Sequence, residues 1–393
     1  MRPAFRSICI AVASVALTAC GMGTAEVNGD ITDPTVLEAN ADDMASTDVT
    51  EQEITSPFGI SGTKSASQLE LKVILSTRLS SPSSLAFKPS DGSLWVVNQA
   101  NDSSVIVDRP GKTDQAVTQY YDDSDHFMNN PTQIAFSRIH DEFAVSLNNL
   151  NDYNGGARPN YFTGVTLYTA SRTYYRGDAM SHLDMLHHSP YAMGLAAGIR
   201  PTSVNSSTRE YWVLNGLAGS IDRYFFNAPH ELGGDDHSDG ITIRYATGSL
   251  KRSGTVPSHL ALNTSSRVLY ASDTGNGRIV KLNTKLSVNS AVQIAAYHNE
   301  TPLYELVGSA VESVTSYGAL NKPSGLLYKG SRLIVAENGT GHIKVFDTYG
   351  ALKGDIDTGL GSGALTGLAE GPDGKLYFLD ARGGRVLRLD AVR

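Results

Sequence analysis

Short runs of apolar and β-branched residues recur along the chain from about residue 68 onwards, and each run is followed by Gly, Asp or Asn. The last stretch is the clearest example, with runs at 365–369, 375–380 and 385–390 separated by Gly-Pro-Asp-Gly and Gly-Gly. Runs of this length bounded by turn residues are typical of β-strands in hairpins. The pattern predicts three antiparallel strands in this terminal unit.

The same pattern occurs six times, which indicates a repeat architecture. The five earlier units begin at 82–87, 131–136, 201–204, 257–262 and 323–327. These units predict an all-β fold, a six-bladed β-propeller spanning 67–393, because radial repetition leaves only short and protected sheet edges. A pair of β-sandwiches or an open solenoid is the alternative arrangement of the same strands.

The two ends of this region are complementary. The terminal unit stops after its third strand, whereas the strand-like run LELKVIL at 69–75 precedes the first unit and lacks a partner in its own unit. We therefore expect residues 69–75 to form the outer strand of the last blade and to close the ring.

Two stretches resemble a known repeat, VPSHLALNTSSRVLYASDTGNGRIVKLN and GLAEGPDGKLYFLDARGGRVLRLD. Both are similar to the NHL-repeat type of six-bladed propeller, which is related in style to gluconolactonase-like propellers. The resemblance implies an NHL-like fold, and NHL-type propellers most often bind a protein, peptide or glycan. The likeness to gluconolactonases implies acidic metal ligands at the mouth of the central channel, for which Glu337 and Glu370 are candidates by position.

The first twenty residues have the layout of an export signal. Arg2 and Arg6 precede an apolar run at 8–17 that is too short to span a bilayer, and small residues follow it. The tetrapeptide Leu-Thr-Ala-Cys at 17–20 resembles the bacterial lipobox. That resemblance implies cleavage before Cys20, lipidation of its thiol and a lipid anchor in the bacterial cell envelope, with outer-membrane sorting by analogy with enteric bacteria. An ordinary secretory signal that happens to contain a cysteine is the alternative.

Residues 21–66 differ in composition from the rest of the chain. Nine acidic residues and no Lys or Arg occur between 21 and 63, which predicts a disordered, self-repelling tether. This segment accounts for most of the formal net charge of −8. The propeller region is therefore close to neutral, and this balance argues against a nucleic-acid partner.

Histidines and carboxylates are concentrated in the middle of the chain. Six of the ten histidines lie between 182 and 259, and the stretch PHELGGDDHSDG occupies 229–240. Clustered imidazoles suit zinc, whereas dense carboxylates suit calcium. The candidate metal ligands are His126, His188, His230, His237, His259, Asp235 and Asp236. A solvated turn between the third and fourth strands of unit three is the alternative reading of 229–240.

His259 lies where the first strand of a blade lines the central channel. The equivalent positions in the other units, Ser84, Gln133, Ser203, Gly325 and Gly367, are small or polar. This pattern predicts a hydrated channel, in which His259 would meet loop histidines at the mouth. The context VPSHLAL resembles the zinc-histidine context of the peptidyl-hydroxyglycine lyase propellers, but its histidine is one place later, so that activity is not carried over.

Two functional hypotheses follow. In the first, the long connections of units two and three, at 148–158, 172–199 and 227–240, form a recognition surface for a protein, peptide or glycan. In the second, a divalent metal at the channel mouth supports a hydrolase or lyase reaction. No Gly-x-Ser-x-Gly, phosphate-binding glycine loop or His-Glu-x-x-His motif is present.

Overall fold

Six β-sheets follow one another along the chain in this computed structural model, which describes residues 56–124, 126–150, 162–199, 208–295 and 301–393. The predicted signal sequence, Cys20 and most of the predicted tether lie outside these residues, as do 201–204. The inner strands of successive sheets contact one another around a ring, and the sixth contacts the first. The predicted six-bladed β-propeller is confirmed.

Each blade has four main strands, named below in order from the inner to the outer one. Blades one to three comprise Pro82–Phe87, Leu94–Asn98, Ser103–Asp108 and Ala116–Asp122; Pro131–Phe136, Glu142–Leu147, Val165–Thr169 and His182–Leu186; and Ala192–Ala197, Arg209–Asn215, Ser220–Phe226 and Gly240–Tyr245. Blades four to six comprise Leu260–Asn263, Val268–Asp273, Arg278–Asn283 and Glu312–Ser313; Pro323–Lys329, Arg332–Glu337, His342–Asp347 and Leu352–Asp357; and Leu365–Glu370, Leu376–Asp380, Arg385–Val392 and Leu69–Leu75.

Short additional elements decorate the blades. The described 3₁₀ helices are Pro57–Gly59, Ala66–Gln68 and Arg172–Tyr174. Added strands are Ala179–Met180 in blade one, Leu303–Leu306 and Val292–Ile294 in blade three, and Gly62–Lys64 in blade five. Gly62–Lys64 pairs in parallel with the outer strand of blade five. The end of the predicted tether, residues 56–66, therefore includes a strand of the propeller.

The ring closes as the sequence predicts. Leu69–Leu75 pairs antiparallel with Arg385–Val392, so the N-terminal strand completes the last blade. Ile74 and Leu75 are buried in the core between blades six and one, whereas Val73 is 49% exposed. The register shifts between Val73 and Leu75, which allows the two consecutive residues Ile74 and Leu75 both to be buried.

Hydroxyl side chains join the inner strands around the ring. Ser83 Oγ donates to Pro131 O at 2.6 Å, which links blade one to blade two. Thr366 Oγ1 donates to Pro82 O at 2.9 Å, which links blade six to blade one. These bonds are buried, so losing one partner would leave a polar group unsatisfied at a substantial cost. In blade three the equivalent position is Met193, which has no hydroxyl.

The inner strand of blade three differs from the prediction. It is Ala192–Ala197, with Gly194 at the position equivalent to His259, rather than 201–204 with Ser203. A Cβ on Gly194 would lie 1.9 Å from Ser258 O, so only glycine fits against the neighbouring inner strand. The segment 172–199 is therefore no long loop, because it contains the outer strand of blade two and the inner strand of blade three.

The centre of the ring is closed at the level of Gln133 and His259. The expectation of a hydrated channel is therefore wrong at this position. Gln133 Oε1 accepts bonds from Leu195 N at 2.7 Å and Leu260 N at 2.9 Å, and its Nε2 donates to Leu260 O at 3.2 Å. Gln133, His259 and Ser84 are all buried. Their side chains fill the axis where glycines in other blades leave space.

Aromatic side chains fill the spaces between blades. Trp95 is fully buried and packs edge to face against Phe136 at 5.4 Å and Phe143 at 5.0 Å, so it ties blade one to blade two. Its indole Nε1 donates to Ser93 Oγ at 2.9 Å. Within the described ranges, no helix is long and apolar enough to cross a membrane.

Candidate metal centre

Three histidines from two blades converge on one point. His182 begins the outer strand of blade two, and His230 and His237 lie in the connection between Ser220–Phe226 and Gly240–Tyr245 of blade three. One ligand atom from each histidine lies within 4.8 Å of the other two. The Nε2 atoms of His182 and His237 are 3.2 Å apart. We call these three residues the histidine triad.

The local sequence explains how the loop reaches the strand. Gly233 has φ of +71°, a conformation that side-chain-bearing residues rarely adopt. Its N–H donates to His182 O at 3.0 Å, which fixes the loop on the end of the strand. A Cβ on Gly234 would lie 2.7 Å from His230 Nδ1. The Gly-Gly pair therefore leaves room for the His230 ring to approach His182 and His237.

Hydrogen bonding sets the tautomer of His230. Its Nδ1 donates to Glu231 O at 2.5 Å, so its Nε2 carries the lone pair. This Nε2 is buried and has no hydrogen-bond partner within the described residues. A metal-bound histidine typically has this arrangement, in which one nitrogen donates to a carbonyl and the other faces the ion.

The electrostatic setting keeps the His182 ring neutral. Burial lowers the pKa of His182 from 6.5 to about 2, and the neighbouring His237, His230 and His126 contribute to the same lowering. A neutral imidazole is the form that ligates a metal, because protonation would occupy the lone pair. His182 is therefore in its ligating form at neutral pH.

Aromatic rings form the wall around the triad. Phe127 stacks on His182 with centroids 3.4 Å apart and planes at 17°, and its edge faces His237 at 5.6 Å. Phe162 stacks on His187 at 3.8 Å. Such packing restricts the ring orientations and keeps bulk water from one side of the site.

Two further histidines adjoin the triad. The ring of His187 lies 5.1 Å from that of His237, and His126 stacks on Phe162 at 5.3 Å. Burial lowers the pKa of His126 to about 4, with His187 as the second cause. The predicted ligand His126 therefore lies beside the triad but is not one of its three members.

The structure places the remaining predicted ligands elsewhere. His188 is buried and its Nε2 lies 2.6 Å from Thr301 Oγ1. His259 Nε2 donates to Thr132 O at 3.2 Å, in the closed centre of the ring. Asp235 and Asp236 lie outside the triad, and Asp236 is exposed, with its Oδ1 accepting bonds from the backbone and hydroxyl of Ser238. The triad thus joins His230 and His237 without His259.

The position of the site also differs from the prediction. The triad lies on an outer strand and on an outer connection, whereas the expected channel mouth would be built from inner strands. His182 is absent from the predicted ligands, because the sequence pattern of 172–199 predicts a loop where the structure has a strand. The connection at 227–240 does join the third and fourth strands of blade three, as predicted.

The acidic candidates suggested by the gluconolactonase likeness are engaged in ion pairs. Glu337 Oε2 lies 3.0 Å from Lys344 Nζ, and its Oε1 accepts a bond from Asn321 N at 2.6 Å. Glu370 pairs with Lys329. Both carboxylates therefore have structural partners.

No protein-family model matches the chain, and no curated protein matches its sequence. Among solved structures it is similar to an auxiliary nutrient binding protein of Bacteroides thetaiotaomicron, at 13% identity over 79% of this chain and 69% of that one, with a TM-score of 0.51. It is also similar to an auxiliary nutrient binding protein of Bacteroides ovatus, at 12% identity over 84% and 75%, with a TM-score of 0.50.

A third similar structure is a luciferin-regenerating enzyme, at 12% identity over 82% of this chain and 95% of that one, with a TM-score of 0.51. At these identities the comparisons show the propeller fold alone. Proteins named for binding and a protein named for catalysis share this scaffold, so the fold alone does not determine the function.

The triad has the geometry of a donor set that could hold a metal ion. In a tetrahedral site with metal–nitrogen distances near 2.0–2.1 Å, ligand nitrogens lie about 3.3 Å apart. The 3.2 Å separation of the His182 and His237 nitrogens agrees with this spacing. Three protein ligands would leave a fourth position for an outside ligand.

Proposed function

We propose that the chain is a metal-dependent binding module that holds one zinc-type ion between blades two and three. The observation that carries this proposal is the convergence of His182, His230 and His237, whose ligand atoms lie within 4.8 Å of one another. The long connections of these two blades would then serve as the recognition surface, and the metal would contribute one coordination position to the bound partner.

The donor set favours zinc over calcium. Calcium takes six to eight oxygen ligands, whereas zinc accepts three imidazole nitrogens and keeps one open position. The triad offers nitrogens, and the nearby predicted oxygen donors Asp235 and Asp236 are not among its members. A nitrogen-rich site that excludes these carboxylates is therefore better suited to a zinc-type ion.

When bound, such an ion would supply a Lewis-acidic position that can accept a carboxylate, an imidazole or a polarised carbonyl from a partner. This chain's own residues orient the site. Glu231 O holds His230 in the ligating tautomer, and Phe127 holds the plane of the His182 ring. A protein, peptide or glycan presenting such a group is the class of partner that we propose.

We further propose that the propeller is displayed from the bacterial cell envelope, anchored by lipid on Cys20 and separated from the membrane by the acidic segment that follows. The support is the lipobox-like Leu-Thr-Ala-Cys after an apolar run, together with the run of nine acidic residues. Neutral charge in the rest of the chain agrees with a partner other than nucleic acid.

The experiment is metal analysis of the full-length protein, purified in detergent through a tag without histidine. After loading with zinc and removal of excess, mass spectrometry of the wild type should find about one equivalent per chain. The variants His182→Gln and His237→Gln should lose most of it, because removal of a ligand exceeds the roughly 10–100-fold loss seen for outer-shell partners.

His342→Gln is the matched control, since His342 lies in blade five and bonds to Asp355. It should retain the wild-type metal content. Absence of metal from the loaded wild type, or equal content in all four proteins, would contradict the proposal. Cobalt substitution gives an independent readout, because the visible spectrum of Co²⁺ reports tetrahedral nitrogen coordination.

A further inference from the structure

A second cavity lies on the ring axis, away from the histidine triad. Its volume is about 580 Å³, which is within the range of small-molecule sites, roughly 300–1,000 Å³. Each blade contributes one large aliphatic residue from its inner strand to the wall: Leu85, Ile134, Leu195, Leu260, Leu326 and Leu368. These six side chains are at most 5% exposed and pack into the cores between blades, so the accessible part of the wall comes from half-buried apolar neighbours, among them Phe87, Phe136, Leu262 and Leu327.

The cavity is a pocket and not a through-channel. Gln133 forms the floor of the cavity, and its side-chain amide makes three hydrogen bonds to the backbone of Leu195 and Leu260. His259 is 1% exposed and lies beside the floor, bonded to Thr132 O. A ligand therefore has one way in, at the end where the inner strands finish.

Five polar residues line the pocket: Gln133, Ser137, Arg138, Tyr328 and Glu370. Besides Gln133, Ser137 Oγ accepts bonds from the backbone at 139 and 140, and Glu370 pairs with Lys329. Tyr328 stacks on Tyr270 with ring centroids 5.6 Å apart. Arg138 is exposed, and its Nε donates to Ala197 O at 3.5 Å. Within the described part of the chain, no carboxylate lies within ion-pair distance of Arg138.

Burial lowers the pKa of Arg138, and the negative charge of Glu210 opposes this lowering. Glu210 Oε1 instead accepts bonds from Arg223 Nε at 2.9 Å and Trp212 Nε1 at 3.0 Å. Arg138 is therefore a cation without a matched carboxylate at the rim of an apolar pocket. A guanidinium prefers a carboxylate in bidentate geometry.

We propose that this axial pocket binds a small apolar molecule that carries a single carboxylate. The apolar body lies against the half-buried apolar side chains of the wall, where it is removed from water. The carboxylate bonds to Arg138 at the rim. This site is separate from the metal centre, and its occupation requires no metal.

Isothermal titration calorimetry of the full-length protein tests this proposal, with octanoate as the anionic probe and octanol as the neutral one. The detergent concentration is kept below the critical micelle concentration, because micelles would absorb the probes. Octanoate should bind with one site per chain and more tightly than octanol. Arg138→Gln should weaken octanoate about tenfold, since it removes a charged hydrogen bond, and should leave octanol unchanged.

Arg109→Gln is the matched control, because Arg109 is an exposed arginine that pairs with Asp114 outside the pocket. It should bind octanoate as the wild type does. A second variant, Ala261→Leu, narrows the pocket from the half-buried lining residue Ala261 and should weaken both probes.

A further control distinguishes binding in the axial pocket from binding at the metal site. A carboxylate could also ligate a bound metal, so octanoate is titrated into His182→Gln and in the presence of EDTA. Unchanged affinity supports the axial pocket. Three results would each overturn the proposal. The first is loss of octanoate binding in these two conditions, and the second is equal binding of both probes with no effect of Arg138→Gln. The third is no binding of octanoate at millimolar concentration.

Discussion

His259 makes the stability of the propeller dependent on pH. It is 1% exposed, and its Nε2 donates to Thr132 O at 3.2 Å. Burial lowers its pKa from 6.5 to about 4. In the unfolded chain the same imidazole takes up a proton near pH 6.5. Between pH 6.5 and about 4 the unfolded state therefore binds a proton that the folded state does not, and the free energy of unfolding falls as the pH falls.

The magnitude follows from linkage. One proton changes the free energy of unfolding by about 1.36 kcal/mol per pH unit. From pH 6.5 to pH 5.0 this contribution of His259 is about 2 kcal/mol. His259→Gln retains an N–H donor for Thr132 but takes up no proton. The variant should therefore lose about 2 kcal/mol less stability than the wild type between pH 7.0 and pH 5.0.

Urea unfolding at both pH values, with EDTA present throughout, measures this difference. The contributions of other titrating groups are common to the proteins and cancel. Ser324→Ala is the control, because it removes a buried bond to Thr366 O without removing a titratable group, and its pH dependence should match the wild type. If His259→Gln and the wild type lose the same free energy within about 0.5 kcal/mol, the assignment of this proton to His259 is refuted.

Three other predictions concern ring packing, ring closure and anchoring. Gly194→Ala should destabilise the propeller by about 1–3 kcal/mol, measured by urea unfolding, because its Cβ would lie 1.9 Å from Ser258 O; unchanged stability would contradict the close contact. Ile74→Ala should cost about 2–5 kcal/mol and the exposed Val73→Ala less than about 0.5 kcal/mol, and equal effects would argue against the closing strand. Cys20→Ser should abolish incorporation of an alkyne-labelled fatty acid in a bacterial host, and persistent labelling would exclude Cys20 as the lipidated residue.

Local patterns were sufficient to predict most of the fold. Turn-bounded apolar runs are set by residues close in sequence, and the unpaired run at 69–75 predicted the closing strand that pairs with Arg385–Val392. The inner strand of blade three is the exception. Its sequence at 192–197, AMGLAA, lacks the proline found at this point in blades one, two, four and five and the hydroxyl found there in all five other blades. The proline-containing stretch at 201–204 matches that pattern better.

The candidate site could be predicted only in part. His230 and His237 are evident from the sequence because histidines, carboxylates and glycines are concentrated in one loop. The sequence also predicts His259 there. It lies directly before the inner strand Leu260–Asn263, but its side chain fills the closed axis and bonds to Thr132 O. The position of a strand does not by itself determine which residues its side chains contact.

By itself, the sequence determined the repeat of short strands, the number of blades, the closure of the ring and the presence of a histidine-rich loop in blade three. Only the tertiary structure decided that His182 of blade two, 55 residues before His237, completes the triad. The same holds for the pocket, whose wall takes residues from all six blades. Both arise from contacts between separate blades, and such contacts depend on how the sheets pack around the axis, which no local periodicity encodes.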